Sequence, residues 1–155
     1  MSDLEVVRAF LNSQSTLTLA TVSDRGIPHA TPLFYLLHGG LQLYWVSFAT
    51  SLHSLNLANS IEVSAAVYCA ADRWKQIRGV QMQGTVQRVT EAEERQPVLA
   101  EYVHRFDLGN LFESSISASH LYKYVPIWLR YLDNSKGFGY KHEISLPRHD
   151  PSYKA

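Results

Sequence analysis

The spacing of hydrophobic residues changes period several times along the chain, and each change predicts an element. Leu4, Val7, Phe10 and Leu11 recur at helical spacing, and Ser2 with Glu5 has the pattern of a capping box, so a short helix is expected first. The period then falls to two. Thr16-Leu17-Thr18-Leu19-Ala20-Thr21-Val22 alternates and is rich in β-branched residues, which suit a pleated, half-buried surface. Ser23-Asp24-Arg25-Gly26 is a turn, residues 28–37 read as a second strand ending at His38-Gly39-Gly40, and residues 41–48 read as a third. Together they predict a meander joined by tight glycine turns.

Helical character returns in Thr50-Ser51-Leu52-His53-Ser54-Leu55-Asn56-Leu57-Ala58-Asn59, with hydroxyl N-cap candidates and leucines at i, i+3 and i+5. Residues 61–70 are a candidate buried strand. Residues 76–90 alternate most clearly, with Val80, Met82 and Val86 facing one way and Gln81, Gln83, Thr85 and Gln87 the other. Gly84 interrupts that strand and predicts a bulge or the close approach of another backbone. Thr90 with Glu93 is a second capping-box pattern, opening a helix with Leu99, Tyr102, Val103 and Phe106 on one side; Pro97 should kink or restart it. Residues 121–132 read as a long strand, with Leu121, Val125, Ile127 and Leu129 on one face and Tyr122, Tyr124, Trp128 and Arg130 on the other. Asn134-Ser135-Lys136-Gly137 turns the chain, and residues 138–146 pair back as a short last strand. The pattern gives six or seven mostly antiparallel strands and three or four small helices, spaced as in a barrel. The polar stretch 147–155, with two prolines, is expected to fray or drape on a neighbour.

Composition narrows the function. A chain of 155 residues fits one domain, here residues 1–146 followed by the tail 147–155. A formal net charge of zero removes the case for nucleic-acid binding through bulk charge. Charged residues are 18%, against about 25% in typical domains, which suggests that a second copy of the chain covers part of the surface. The single cysteine, Cys69, excludes an internal disulfide and a multi-cysteine zinc site, and its apolar neighbours suggest a buried, inert thiol. No apolar run reaches the ~18 residues of a membrane-spanning helix, and Met1-Ser2-Asp3-Leu4-Glu5 lacks the basic start of a secretory signal; a cytoplasmic location is the expectation.

Candidate chemistry is sparse. No Gly-x-Ser-x-Gly elbow is present, and the Ser, His and Asp residues form no local signature, so no catalytic residue is named. The seven histidines show neither i, i+4 pairing beside a Glu nor a His-x-His pair, so no metal site is expected; a haem needs only one axial histidine and stays open. Ala49-Thr50-Ser51-Leu52-His53 runs from a strand into a helix start, where free N–H groups, the helix dipole, two hydroxyls and His53 favour an anion. A plain N-cap explains the same residues. The Gln81-x-Gln83 face is either solvated or lines a polar-edged pocket.

The order of these motifs resembles the pyridoxamine phosphate oxidase-like FMN-binding split barrels, over nearly the whole chain from about Leu4 to Leu146. The opening hairpin with Gly26-Ile27-Pro28-His29-Ala30-Thr31-Pro32, the helix from Ser51, the strand Arg78-Gly79-Val80-Gln81-Met82-Gln83-Gly84, and Trp128 with Asn134-Ser135-Lys136-Gly137-Phe138-Gly139 carry the likeness. It implies a mainly β, six-stranded antiparallel split barrel that forms a homodimer with two FMN molecules at the interface. The resemblance implies that Thr31 and Pro32 lie along the flavin ring with Val46 and Ser47. Thr50, Ser51 and His53 would hold the phosphate, Gln81 would face the ring edge, and Trp128 would approach from the far side or from the partner. It implies a flavin-dependent oxidoreductase acting on a small-molecule substrate, with a non-catalytic flavin or haem carrier dimer as the alternative. The oxidases proper place adjacent basic residues where Leu52-His53 stands here. Relatives also bind the deazaflavin F420 or haem.

Overall fold

Alternate apolar positions on consecutive strands roll the sheet around one core. A computed structural model describes residues 1–109 and 113–148. Its strands are β1 (Thr16–Val22), β2 (Pro28–Phe34), β3 (Leu36–His38), β4 (Gln42–Phe48), β5 (Glu62–Tyr68), β6 (Arg78–Val89), β7 (Ser119–Asp133) and β8 (Lys141–Ser145). The helices are α1 (Asp3–Ser13), α2 (Leu52–Asn59), α3 (Ala92–Arg105) and α4 (Glu113–Ser117). All strand pairs are antiparallel, in the order β2-β1-β5-β6-β7-β4-β3, with β8 beside the second half of β7. The mainly β split-barrel class read from the sequence is the fold observed. Of the tail 147–155, residues 149–155 lie outside the described residues.

The eight strands exceed the six or seven of the pattern because residues 28–37 are not one strand. They divide at Tyr35 into β2, which pairs with β1, and β3, which pairs with β4. These halves are the two edges of the sheet order. Only Tyr35 separates them in the chain, so the sheet must curl until its edges meet. Tyr35 is fully buried; its N–H donates to the Ser15 carbonyl at 2.9 Å and its hydroxyl donates to the Leu11 carbonyl.

Inside the barrel stand Leu17 and Leu19 of β1, Val63, Ala65 and Val67 of β5, Val80, Met82 and Val86 of β6, and Leu43 and Trp45 of β4. Helix α1 brings Val7, Phe10 and Leu11 against them, with Phe10 edge-on to Tyr131 at 5.8 Å. Its expected capping box is complete, although Leu4, placed on the buried face by spacing, is exposed.

The long strand departs from simple alternation. Gln83 pairs with Trp128 but Gly84 pairs with Pro126, so Ile127 is skipped and the phase of β7 changes. Trp128 and Arg130 therefore face outward, while Tyr122 and Tyr124, expected on the same face, turn into the core opposite Trp45 and Val86. Both meanings expected of Gly84 are met: it sits at the bulge, and a Cβ there would be driven into the Val125 carbonyl and lie 2.9 Å from Pro126 Cα.

Three further expectations are corrected. Thr90 and Glu93 form no capping box: Glu91 is the N-cap of α3, and the Thr90 hydroxyl donates to the Glu91 carboxylate. Pro97 does not restart α3, which runs unbroken through it: the ring removes the bond to the Glu93 carbonyl, and buried Val98 and Tyr102 anchor the helix. Cys69 is half-buried, its thiol 3.4 Å from the Gln76 carbonyl.

Helix α2 packs through polar groups. Leu52 and Leu55 are exposed, and His53, Ser54, Asn56 and Leu57 are buried. His53 Nε2 shares a 2.7 Å hydrogen bond with Ser47 Oγ, and Asn56 Nδ2 donates to Thr21 Oγ1 at 3.0 Å. Ser47 and Thr21 are inward positions of β4 and β1, so α2 closes that end of the barrel by hydrogen bonding to its lining.

Two outcomes follow from this packing. Gly84→Ala should destabilise the fold by about 1–3 kcal/mol through overpacking against backbone, measured as a lower urea midpoint; an unchanged midpoint would contradict the close approach. Burial lowers the pKa of His53, so the unfolded chain binds more protons than the folded one as pH falls through the ordinary histidine range. Stability should be complete above about pH 7 and fall toward pH 5, and His53→Gln should shrink that loss in urea titrations at the two pH values. An equal loss in the variant would remove His53 as its source.

Candidate functional site

Among the described residues, the pairing scheme leaves the ladder between β2 and the second half of β4 unmade. β3 pairs with Gln42–Tyr44 of β4 and goes no further. Were that ladder to continue, Phe34, Leu33 and Pro32 would lie opposite Val46, Ser47 and Phe48. Instead, β2 leaves β4 at Tyr35 and pairs with β1. The edges of β2 and of the second half of β4 thus form the two banks of a split, bridged at one end by buried Tyr102 of α3, whose hydroxyl donates to the Phe34 carbonyl at 3.3 Å and bonds the Val46 backbone.

Four sequence-predicted residues border it. Thr31 is cross-strand from Leu19 and half-buried, on the barrel side of β2; Pro32 is cross-strand from Thr18 and exposed on the other side. On β4, Val46 is half-buried and Ser47 is buried, cross-strand from Leu121 and His120. The end of β4 leads through Ala49 and exposed Thr50 into α2. Ser51 is the N-cap, but its hydroxyl makes no capping hydrogen bond. The first intrahelical bond there runs from Leu55 N–H to the Ser51 carbonyl, so the N–H groups of Leu52, His53 and Ser54 precede the ladder. Helix start and split are contiguous.

His53 lies differently from the expectation of a charged group at the helix start. Its ring is buried and held to Ser47, and burial keeps it neutral by lowering its pKa. The first turn of α2, Leu52-His53-Ser54-Leu55, contains no lysine or arginine. His53 joins the site as the group that fixes the Ser47 hydroxyl.

Gln81 and Trp128 stand elsewhere on the protomer. Cross-strand pairing places Thr18, Ala66, Gln81 and Arg130 in one row and Ala20, Ser64, Gln83 and Trp128 in the next, all on the outer face of the sheet. A shallow cavity of about 450 Å³ lies over these rows. Its walls are small side chains, and its polar edge is Gln81 and Arg130. Arg130 is a residue the sequence reading did not single out. Its guanidinium stacks 5.0 Å from the Trp128 ring, donates to Gln81 Oε1 at 3.3 Å, and grips Glu143 of β8 at 2.7 and 3.0 Å. Those bonds hold the Glu143 carboxyl below its usual pKa. The two-residue step from Trp128 to Arg130 was the available signal.

The nine predicted positions thus form two groups. Thr31, Pro32, Val46, Ser47, Thr50, Ser51 and His53 gather around the split and the start of α2. Gln81 and Trp128 share the bare outer face. Among the described residues no cluster of three or more His, Cys, Asp or Glu is placed to hold a metal ion, and no helix is long and apolar enough to cross a membrane.

Comparison with known proteins agrees with this architecture. A conserved hypothetical protein of Mycobacterium tuberculosis is 26% identical, with a TM-score of 0.76 over 95% of this chain and 92% of that one. A haem-binding protein from Mycobacterium smegmatis is 22% identical, with a TM-score of 0.76 over 94% of this chain but 58% of that one, so this chain spans little more than half of it. The haem storage protein HutZ from Vibrio cholerae is 20% identical, with a TM-score of 0.66 over 81% of this chain and 91% of that one. The last two likenesses speak for the fold alone. No curated protein matches the sequence. The sequence profile described as Pyridoxamine 5'-phosphate oxidase matches residues 4–132, which is most of the chain. The protein belongs to the pyridoxamine 5'-phosphate oxidase family.

Proposed function

We propose that the chain works as a homodimer that binds FMN across its subunit interface and acts as a flavin-dependent oxidoreductase on a small substrate. The start of α2 carries this reading. An uncommitted Ser51 hydroxyl, an exposed Thr50 and the first-turn N–H groups converge beside the split. A phosphate monoester suits such donors and the positive end of the helix dipole. With no cationic side chain in that turn, neutral donors hold the phosphate here.

The residue groups fit a ring shared between protomers. Thr31, Pro32, Val46 and Ser47 line the banks next to the phosphate donors and take one face of the ring. Gln81 and Trp128 lie on the outer sheet face, outside that group, and serve the ring of the partner. The cavity on this face is walled by strand residues alone, including Thr18, Ala20, Ser64 and Ala66, and a second sheet can approach such a surface closely. Bound FMN supplies the hydride chemistry; the chain binds it, orients its ring and excludes water.

A second reading, a dimer that carries haem or flavin without turnover, is favoured by two observations. Two structural relatives are named for haem binding and haem storage. The start of α2 also lacks a side-chain cation for a phosphate.

The first test is visible absorbance of the purified protein before and after FMN addition. Perturbed flavin bands are expected, whereas a sharp Soret band without flavin uptake would favour the second reading. Thr50→Ala with Ser51→Ala should weaken FMN by about 1–3 kcal/mol, roughly 5–150-fold, in fluorescence titration. Unchanged affinity would take the phosphate away from α2. Subunit mixing tests the shared site. Ser51→Ala and Trp128→Ala homodimers should each bind weakly, and their heterodimer should regain one intact site. A heterodimer that recovers no tight site would place both residues in one protomer's pocket.

A further inference from the structure

We infer that a second groove, between α2 and the first half of β7, binds a small amphipathic carboxylate, its apolar tail under α2 and its carboxylate at Arg88 and His120. The inference does not rest on the flavin reading. The groove has a volume of about 340 Å³ and lies on the flank of α2. Its floor is Leu57, Val86 and Tyr122, all buried, and its outer rim is Leu55 and Ile61, both more than half exposed. Apolar side chains left open on a rim above an apolar floor suit an alkyl or aryl body.

The other end of the groove is cationic. Arg88 and His120 line it, and Arg95 stands behind them, one amine donating to the Ser119 carbonyl at 3.4 Å. The other terminal amine of Arg95, Nη1, is buried without a hydrogen-bond partner. Arg88 makes no ion pair among the described residues. Burial, first, and then the nearby charges of Arg88 and Arg95 lower the pKa of His120, so the two arginines supply the positive charge at this end and the imidazole supplies a hydrogen-bonding ring. Ser54, in the groove wall, is 7% exposed, and its hydroxyl has no partner. Buried donors without acceptors are rare in folded proteins, because each forfeits its hydration. The Ser54 hydroxyl in the wall and Arg95 Nη1 behind it are two such donors, and beside the exposed guanidinium of Arg88 they suit a carboxylate acceptor.

The groove lies beside the start of α2 and does not include the Thr50 and Ser51 hydroxyls. It adjoins Ala49 and takes the side chains of Ser54, Leu55, Leu57 and Ala58 on the flank of α2.

Octanoate is a suitable probe and 1-octanol its uncharged counterpart. Titrated into the protein and followed by amide chemical shifts, octanoate should bind saturably at one site, with the largest shifts at Ser54, Ile61, Arg88 and His120. Octanol should bind roughly tenfold more weakly or worse, and Arg88→Met, a change at an exposed position, should cost octanoate a similar factor. Ala58→Trp, which fills the groove from its exposed rim, should abolish binding of both probes. Equal affinity for acid and alcohol, no saturation at millimolar octanoate, largest shifts at Thr50 and Ser51, or indifference to Arg88→Met would each overturn the inference. FMN titration of the same Ala58→Trp protein separates the two sites: retained FMN binding with lost octanoate binding is expected.

Discussion

Tyr35 imposes the constraint on which the rest of the structure depends. It is the single residue between the two edge strands of the sheet, so those edges cannot lie at opposite sides of a flat layer. The curl of the sheet, the enclosed core and the split all follow from that connection. Its side chain fits the task. Burial of the ring anchors the junction, and the backbone and hydroxyl donors tie it to Ser15 and Leu11, which joins the bend to β1 and α1 together. Burial also raises the pKa of the phenol, so the hydroxyl stays a donor throughout the physiological range.

A second irregularity, the bulge where Gly84 meets Pro126, decides which side chains share a face. Without it, β7 would keep one phase along its length and carry Tyr122, Tyr124, Trp128 and Arg130 together. The skipped residue divides them: two tyrosines complete the core, and the Trp128–Arg130 pair is delivered to the outer face beside Gln81. Proline and glycine opposite one another suit this place, since neither a ladder N–H nor a Cβ is required there. Two local backbone events, at Tyr35 and at Gly84, thus set the two regions where the candidate site residues gather.

The sequence exposed these features unequally, for physical reasons. Alternation in residues 16–22 and 76–90 located β1 and β6, because one face of each strand is buried and the other is not. The Ser2–Glu5 box located α1, and Gly84 announced its own bulge. Residues 28–37 looked like one strand because a change of partner leaves no trace in hydrophobicity: Leu33, Tyr35 and Leu37 keep the alternation across the junction. Faces of β7 were misread because a phase shift is set by the partner strand. Helix α2 was located by its caps and leucine spacing, but the spacing does not reveal that only Leu57 of the three leucines is buried, beside His53, Ser54 and Asn56. The site was legible as a set of motifs. Its division between a split and a distant outer face was not, since that rests on the same two events.

The polar docking of α2 ties the fold to the chemistry of the region. A helix docked by leucines would slide on an apolar surface with little positional cost. Docking through His53–Ser47 and Asn56–Thr21 fixes both rotation and register, because a buried donor or acceptor that loses its partner costs about 1–3 kcal/mol. The same bonds hold Ser47 on one bank of the split and therefore set the distance between that bank and the first turn of the helix. The leucines that leave the interface are not idle. Leu52 and Leu55 turn outward, and Leu55 becomes the rim of the second groove. One helix, turned by two hydrogen bonds, thus presents an anion-binding end to the split and an apolar flank to the cationic groove beside it.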